Sequence, residues 1–134
     1  MNIHLLRTLL TIKPVFWNYD EIIFHLYISI NPIEIGHSVG IHYTLDNWTN
    51  TLFSTGEWIE NDKNNEIWHI ELLICGGNKI IQLPDNIIFA LYVKKNNDKI
   101  WNNNNNLNFK INFDELILQI DKEYEKYYSM LLSI

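Results

Sequence analysis

Asp46, Glu57, Glu60 and Asp62 are the residues of this chain that could act as a glycosidase pair, one carboxyl protonating a leaving oxygen and another activating water. They stand in polar loops, where solvated carboxylates normally occur. No nucleophile motif, phosphate-binding loop or HExxH pattern accompanies them, so no catalytic residue is expected. His25, His42 and His69 could ligate a metal, but each falls on a different predicted strand, where hydrogen-bonded histidines are commoner. No metal and no other cofactor is expected. Cys75 is the single cysteine, which excludes an internal disulfide and any zinc site built on two thiolates. It ends the run Leu72-Leu73-Ile74-Cys75 and reads as a buried, inert thiol. The aromatic rings remain. The chain carries 5 Trp in 134 residues, and an exposed ring is costly in solubility unless a ligand covers it. Trp48 follows Asp46-Asn47 and Trp101 precedes the run Asn102 to Asn106, so both sit beside polar turns rather than inside apolar runs. That placement favours exposure over burial in the core.

The elements that position these residues are mostly strands. With 47% hydrophobic and 19% charged residues, the chain fits one domain with a packed core. Ile is abundant, and its branched Cβ packs well on a pleated surface. A first strand is expected over Leu9 to Phe16. Glu21 to Ile30 alternates, with Ile22, Phe24, Leu26, Ile28 and Ile30 on one face. Ser38 to Leu45 puts Val39, Ile41 and Tyr43 on one face, and Gly56 to Ile59 is a short candidate. In Ile67 to Ile74 the residues Trp68, Ile70 and Leu72 share a face, which makes Trp68 a core residue. Ile87 to Lys94, Lys99 to Trp101 and Leu107 to Phe113 complete the set, with Asn serving at most turns. From Phe113 the period changes: Leu116, Ile117, Ile120, Tyr124, Tyr127, Tyr128 and Leu131 recur at helical spacing, with Asn112 and Glu115 as a capping pair. The expected fold is all-β, an immunoglobulin-like antiparallel β-sandwich of about eight strands over residues 1–113, with an appended amphipathic helix over 114–134.

The formal net charge of -6 and the lack of a basic run argue against nucleic acid and against an anionic membrane. The stretch from Ile3 to Ile12 is broken by Arg7 and does not read as a signal peptide, so the cytoplasm is the expected compartment.

Read together, the segments resemble carbohydrate-binding module family 21, the starch- and glycogen-binding domain of some glucoamylases and of glycogen-targeting subunits of protein phosphatase 1. Ile41-His42-Tyr43-Thr44-Leu45-Asp46-Asn47-Trp48 is similar to its "VRYT.D.W" stretch. The ten residues from Ile100 to Phe109 resemble its "YWDNN.G.NY" signature without a gap. Asn65 to Ile70 looks like its "D.F.F.L" strand, Ile87 to Tyr92 like "IEFAI.Y", and Ile28 to Asn31 like "V.V.N". The pieces occur in order over residues 20–113. The resemblance implies non-catalytic binding of an α-glucan, glycogen or starch. Trp48 and Trp101 match the platform aromatics, Asn103 the ligand-bonding amide, Asn104 and Asn108 the other signature amides, and Phe89 a third aromatic position. Such a site makes chemical sense: an indole stacks on the apolar C–H face of a sugar, and amides both donate to and accept from hydroxyls.

The departures from the pattern bear on function. The family's "FEK" is Ile35-Gly36-His37 here, which removes an aromatic of a second glucan site. Asn102, Phe109 and His42 replace its Asp, Tyr and Arg. A changed specificity, or a fold-only interaction module that has lost the sugar, is the alternative. A further one is an adaptor, since Lys110-Ile111-Asn112-Phe113 fits the loose docking pattern for the protein phosphatase 1 catalytic subunit. It falls in the predicted last strand, which favours a structural role.

Overall fold

The computed structural model describes residues 1–16, 19–77, 83–116 and 118–120. Among these, ten strands occur: β1 (Asn2–Phe16), β2 (Tyr19–Asn31), β3 (His37–Thr44), β4 (Leu52–Thr55), β5 (Glu57–Asp62), β6 (Asn65–Gly77), β7 (Asn86–Lys95), β8 (Asp98–Asn102), β9 (Phe109–Asn112) and β10 (Leu118–Ile120). One sheet runs β10-β1-β2-β6-β5. The other runs β4-β3-β7-β8, with β9 also paired to β7. Every pairing is antiparallel except that of β10, which lies parallel to Leu10–Ile12 of β1.

Period-two alternation decides what lies between the sheets. Ile22, Phe24, Leu26, Ile28 and Ile30 of β2 face Val39 and Ile41 of β3 and Ile87, Phe89, Leu91 and Val93 of β7, all buried in one cluster. Phe24 joins the layers, edge-on to Phe89 at 6.4 Å and to Phe113 at 5.6 Å. Trp68 packs on this core while half-buried, as its phase with Ile70 and Leu72 requires. The same phase carries Glu66 inward to 3% exposure. Its carboxylate accepts hydrogen bonds from the Glu34 N–H (2.9 Å), His37 Nε2 (2.7 Å) and Trp68 Nε1 (2.9 Å). One buried carboxylate thereby joins β6 of the first sheet to the start of β3 in the second.

The sandwich expected from the sequence is present, with two strand differences. β1 begins at Asn2 rather than near Leu9, and β4 lies where no strand was expected. The helix is the larger correction. Phe113–Glu115 is a single 3-10 turn, and Leu118–Ile120 is a strand. Asn112 Nδ2 does donate to Glu115 Oε1 at 3.1 Å, but among the described residues no α-helix follows. The physical reason is the run Leu116-Ile117-Leu118-Gln119-Ile120, whose near-continuous apolar residues suit a strand as well as a helix, beside an available edge of β1. Residues 121–134, where the rest of that helix was expected, lie outside the described residues, as do Trp17 and the Cys75 side chain. Among the described residues, no helix is long and apolar enough to cross a membrane.

Candidate functional site

Because Val39, Ile41 and Tyr43 point inward, Gly40 and His42 of β3 point out from the second sheet, and so do Ala90 and Tyr92 of β7. Register then aligns a row of rings across four strands. Phe53 on β4 is opposite His42, Tyr92 is opposite Gly40, and Trp101 on β8 is opposite Tyr92. His42 stacks on Phe53 (4.7 Å, 12°) and meets Trp48 and Trp101 edge-on, at 5.3 Å and 5.9 Å. Tyr92 lies 5.2 Å from Trp101. The Lys99 ammonium is 4.5 Å from the Tyr92 ring centroid and 5.5 Å from that of Trp101, within cation–π range. Burial, and after it the Lys99 charge, lower the His42 pKa and favour the uncharged imidazole. Gly40 makes the row possible. A Cβ there would run into Cζ and the hydroxyl of Tyr92 and come within 2.9 Å of the Ser54 carbonyl.

Trp48 reaches this row from the loop between β3 and β4. Asn47 and Trp48 have φ of 54° and 68°, a left-handed conformation that is strained for a bulky residue. Local hydrogen bonds hold it. Thr44 Oγ1 accepts from the Trp48 N–H (2.9 Å) and donates to Asp46 Oδ1 (2.8 Å), while Asp46 accepts from the Asn50 N–H (2.9 Å) and Nδ2 (2.8 Å). Those bonds, first the Asn50 backbone and side chain and then Thr44, lower the Asp46 pKa.

Trp101 is presented by the segment that ends in the Asn run. β8 pairs with Leu91–Lys95 of β7 and β9 with Asn86–Phe89, so residues 103–108 leave and rejoin the same edge of β7. Asn104, Asn105, Asn106 and Asn108 all have φ between 55° and 69°. Asn tolerates this conformation better than other side chains, which makes the run a conformational code as well as a row of amides. Asn103 Nδ2 donates to Asn106 Oδ1 (3.1 Å), Asn103 Oδ1 accepts from the Asn106 N–H (3.0 Å), and Asn104 Nδ2 donates to the Asn108 carbonyl (3.1 Å). Asn102 Nδ2 donates to the Ile3 carbonyl at 2.7 Å and anchors the loop to the first sheet.

Of the residues singled out in the sequence, Trp48 and Trp101 come together on one outer face, 37% and 43% exposed, with Asn103, Asn104 and Asn108 in the adjoining loop. Phe89 does not join them. It is fully buried, stacked on Phe109 at 5.2 Å, because it shares the parity of Ile87 and Leu91. No sugar can stack on it. Tyr92, Phe53 and the Gly40 notch were missed. Tyr92 was legible as the outward partner in its own strand, and Phe53 carried no signal. Ile35 is 95% exposed. Asp46 is occupied in the Trp48 loop, and Glu57, Glu60 and Asp62 lie exposed along β5. Lys110 to Asn112 form the last part of β9, and Phe113 is 2% exposed. Trp58 is exposed on β5, its Nε1 donating to Asn61 Oδ1 at 2.9 Å.

No family model and no curated protein matches the sequence. Solved structures do match in fold. The starch-binding domain of Rhizopus oryzae glucoamylase, solved with β-cyclodextrin and maltoheptaose, superposes with a TM-score of 0.51 at 17% identity, covering 81% of this chain and 91% of that domain. The fold is shared with a starch-binding domain. The cycloalternan-forming enzyme of Listeria monocytogenes, solved with a pentasaccharide substrate, matches with a TM-score of 0.51 at 19% identity over 67% of this chain. This chain spans only 8% of that enzyme. The carbohydrate-binding module of the muscle glycogen-targeting subunit of protein phosphatase 1 gives 0.49 at 17% identity, over 82% of this chain and 74% of that module.

Proposed function

We propose that this chain is a non-catalytic module that binds an α-glucan, glycogen or starch, on the outer face of the second sheet. The observation that carries this reading is the convergence of two half-exposed indoles, Trp48 and Trp101, on the His42 ring. Each indole offers a flat apolar face to a sugar, worth about 1–3 kcal/mol when covered. Asn103, Asn104 and Asn108 line the adjoining loop, and an amide engaged in one loop hydrogen bond retains further capacity for a hydroxyl. The shared fold with a domain solved in complex with β-cyclodextrin and maltoheptaose supports the ligand class. The setting we assign is cytoplasmic, where the Asn47-Trp48-Thr49 sequon stays unglycosylated and the platform uncovered. Lys110 to Phe113 takes no part in this reading, since Phe113 is a core residue.

A second reading, an interaction module without sugar affinity, is favoured by one observation: the Asn103 amide is tied at both ends to Asn106. Retention on insoluble starch separates the two. A glucan platform predicts that the protein is retained and that Trp48→Ala and Trp101→Ala each weaken retention by roughly five- to hundredfold. Both variants should keep the wild-type circular dichroism spectrum. A wild type that passes straight through starch and glycogen gels sinks the sugar reading.

A further inference from the structure

The outer face of the first sheet carries a different cluster. His25 on β2 is the direct cross-strand partner of Glu71 on β6, and His69 precedes Glu71 by two residues on the same face. Sequence order alone scatters these three side chains, and the β2–β6 register gathers them. Each offers one ligand atom, and the three atoms lie within 4.8 Å of one another. His25 Nδ1 is 2.9 Å from His69 Nε2, and Glu71 Oε1 is 3.9 Å from His25 Nδ1. Zinc bonds of about 2.0–2.2 Å place tetrahedral donor atoms roughly 3.3 Å apart, so the observed spacings straddle what a bound ion needs. Glu71 Oε1 also lies 3.9 Å from His69 Nδ1.

We infer that His25, His69 and Glu71 form a binding site for a zinc-class divalent metal ion. Two imidazoles with one carboxylate suit Zn2+, Ni2+ or Cu2+ and do not suit Ca2+ or Mg2+, which take oxygen ligands. The surroundings are those of a built site. Thr11 Oγ1 lies 2.8 Å from His25 Nε2 and is itself 8% exposed, an outer partner that holds Nε2, while the Nδ1–His69 Nε2 hydrogen bond is the contact a bound ion would replace. Tyr27 stacks on His69 at 4.6 Å, and the Arg7 guanidinium covers Tyr27 at 4.6 Å, which fixes the ring orientation. Glu71 is the exposed member, with 59% of its side chain open to solvent, so an ion can enter from that side and keep water in its remaining positions. This face points away from the Trp48–Trp101 row, so the inference stands independently of the sugar reading.

The test is calorimetric titration of chelator-stripped protein with Zn2+, repeated on Glu71→Gln and His69→Gln. Stoichiometric uptake by the wild type is expected, with affinity falling at least about tenfold in each variant. Co2+ used as a probe should give visible absorption that the same variants lose. Glu71→Gln leaves the core untouched, so its loss of affinity cannot be blamed on unfolding. Absence of stoichiometric Zn2+ uptake by the wild type would overturn the inference. So would uptake unchanged in both variants, which would place the ion on other histidines.

Discussion

Gly40 and Trp48 bear the two tightest constraints at the candidate site. At Gly40 the absence of a Cβ lets the Tyr92 ring lie across β3. Gly40→Ala forces that ring aside, and a loss of about 1–3 kcal/mol is expected in urea denaturation, with a weakened Tyr92–Trp101 signal in near-ultraviolet circular dichroism. A left-handed Trp48 costs on the order of 1–2 kcal/mol, which the Thr44–Asp46–Asn50 hydrogen bonds offset. Trp48 and Trp101 were legible in the sequence because each adjoins polar turn residues. Phe89 was misplaced for an equally physical reason: similarity of strings ignores parity, and Ile87, Phe89, Leu91 and Val93 share the inward face of β7. The His25–His69 contact was not legible, since it depends on the register between β2 and β6.

Among the elements, the long alternating strands were the easiest to read. β2, β3 and β7 fall close to their expected bounds, because one apolar face leaves little freedom of register. β4 (LFST) was missed, being short and mostly exposed, and supported by pairing with β3 rather than by its own pattern. The Asn run reads as low complexity, yet it builds a loop whose successive left-handed residues require Asn or Gly. That requirement can be tested at Asn105, whose φ is 56°. Asn105→Gly should leave the urea midpoint nearly unchanged, while Asn105→Ala should cost about 1 kcal/mol. Equal effects would show that backbone conformation does not select the Asn there.

For the whole molecule, Glu66 is a buried polar link between the sheets. Burial works against its ionised form, but hydrogen bonds from the Glu34 N–H, Trp68 and His37 outweigh it and hold the pKa below the ordinary 4.5. A carboxylate with a depressed folded pKa stabilises the native state fully above its unfolded pKa, and the benefit is lost as pH falls through the folded value. The Glu66 contribution should therefore stay constant from about pH 7 to about pH 5 and be lost on further acidification, so Glu66→Ala should flatten the acid limb below about pH 5. The same substitution strands three donors and should cost about 3–5 kcal/mol at neutral pH in urea denaturation. The buried Glu66 carboxylate ties Glu34, His37 and Trp68 together, and its inward phase with Trp68 and Ile70 was visible in the sequence without its partners being so.

Binding at the second sheet is tested most directly by following the indole N–H resonances of a 15N-labelled sample while β-cyclodextrin or maltoheptaose is added. Stacking on the Trp48–Trp101 row predicts saturable shifts of those two signals, with Trp58 on β5 and Trp68 beside Glu66 unmoved. No shift at saturating sugar, or shifts confined to Trp58 or Trp68, would contradict it.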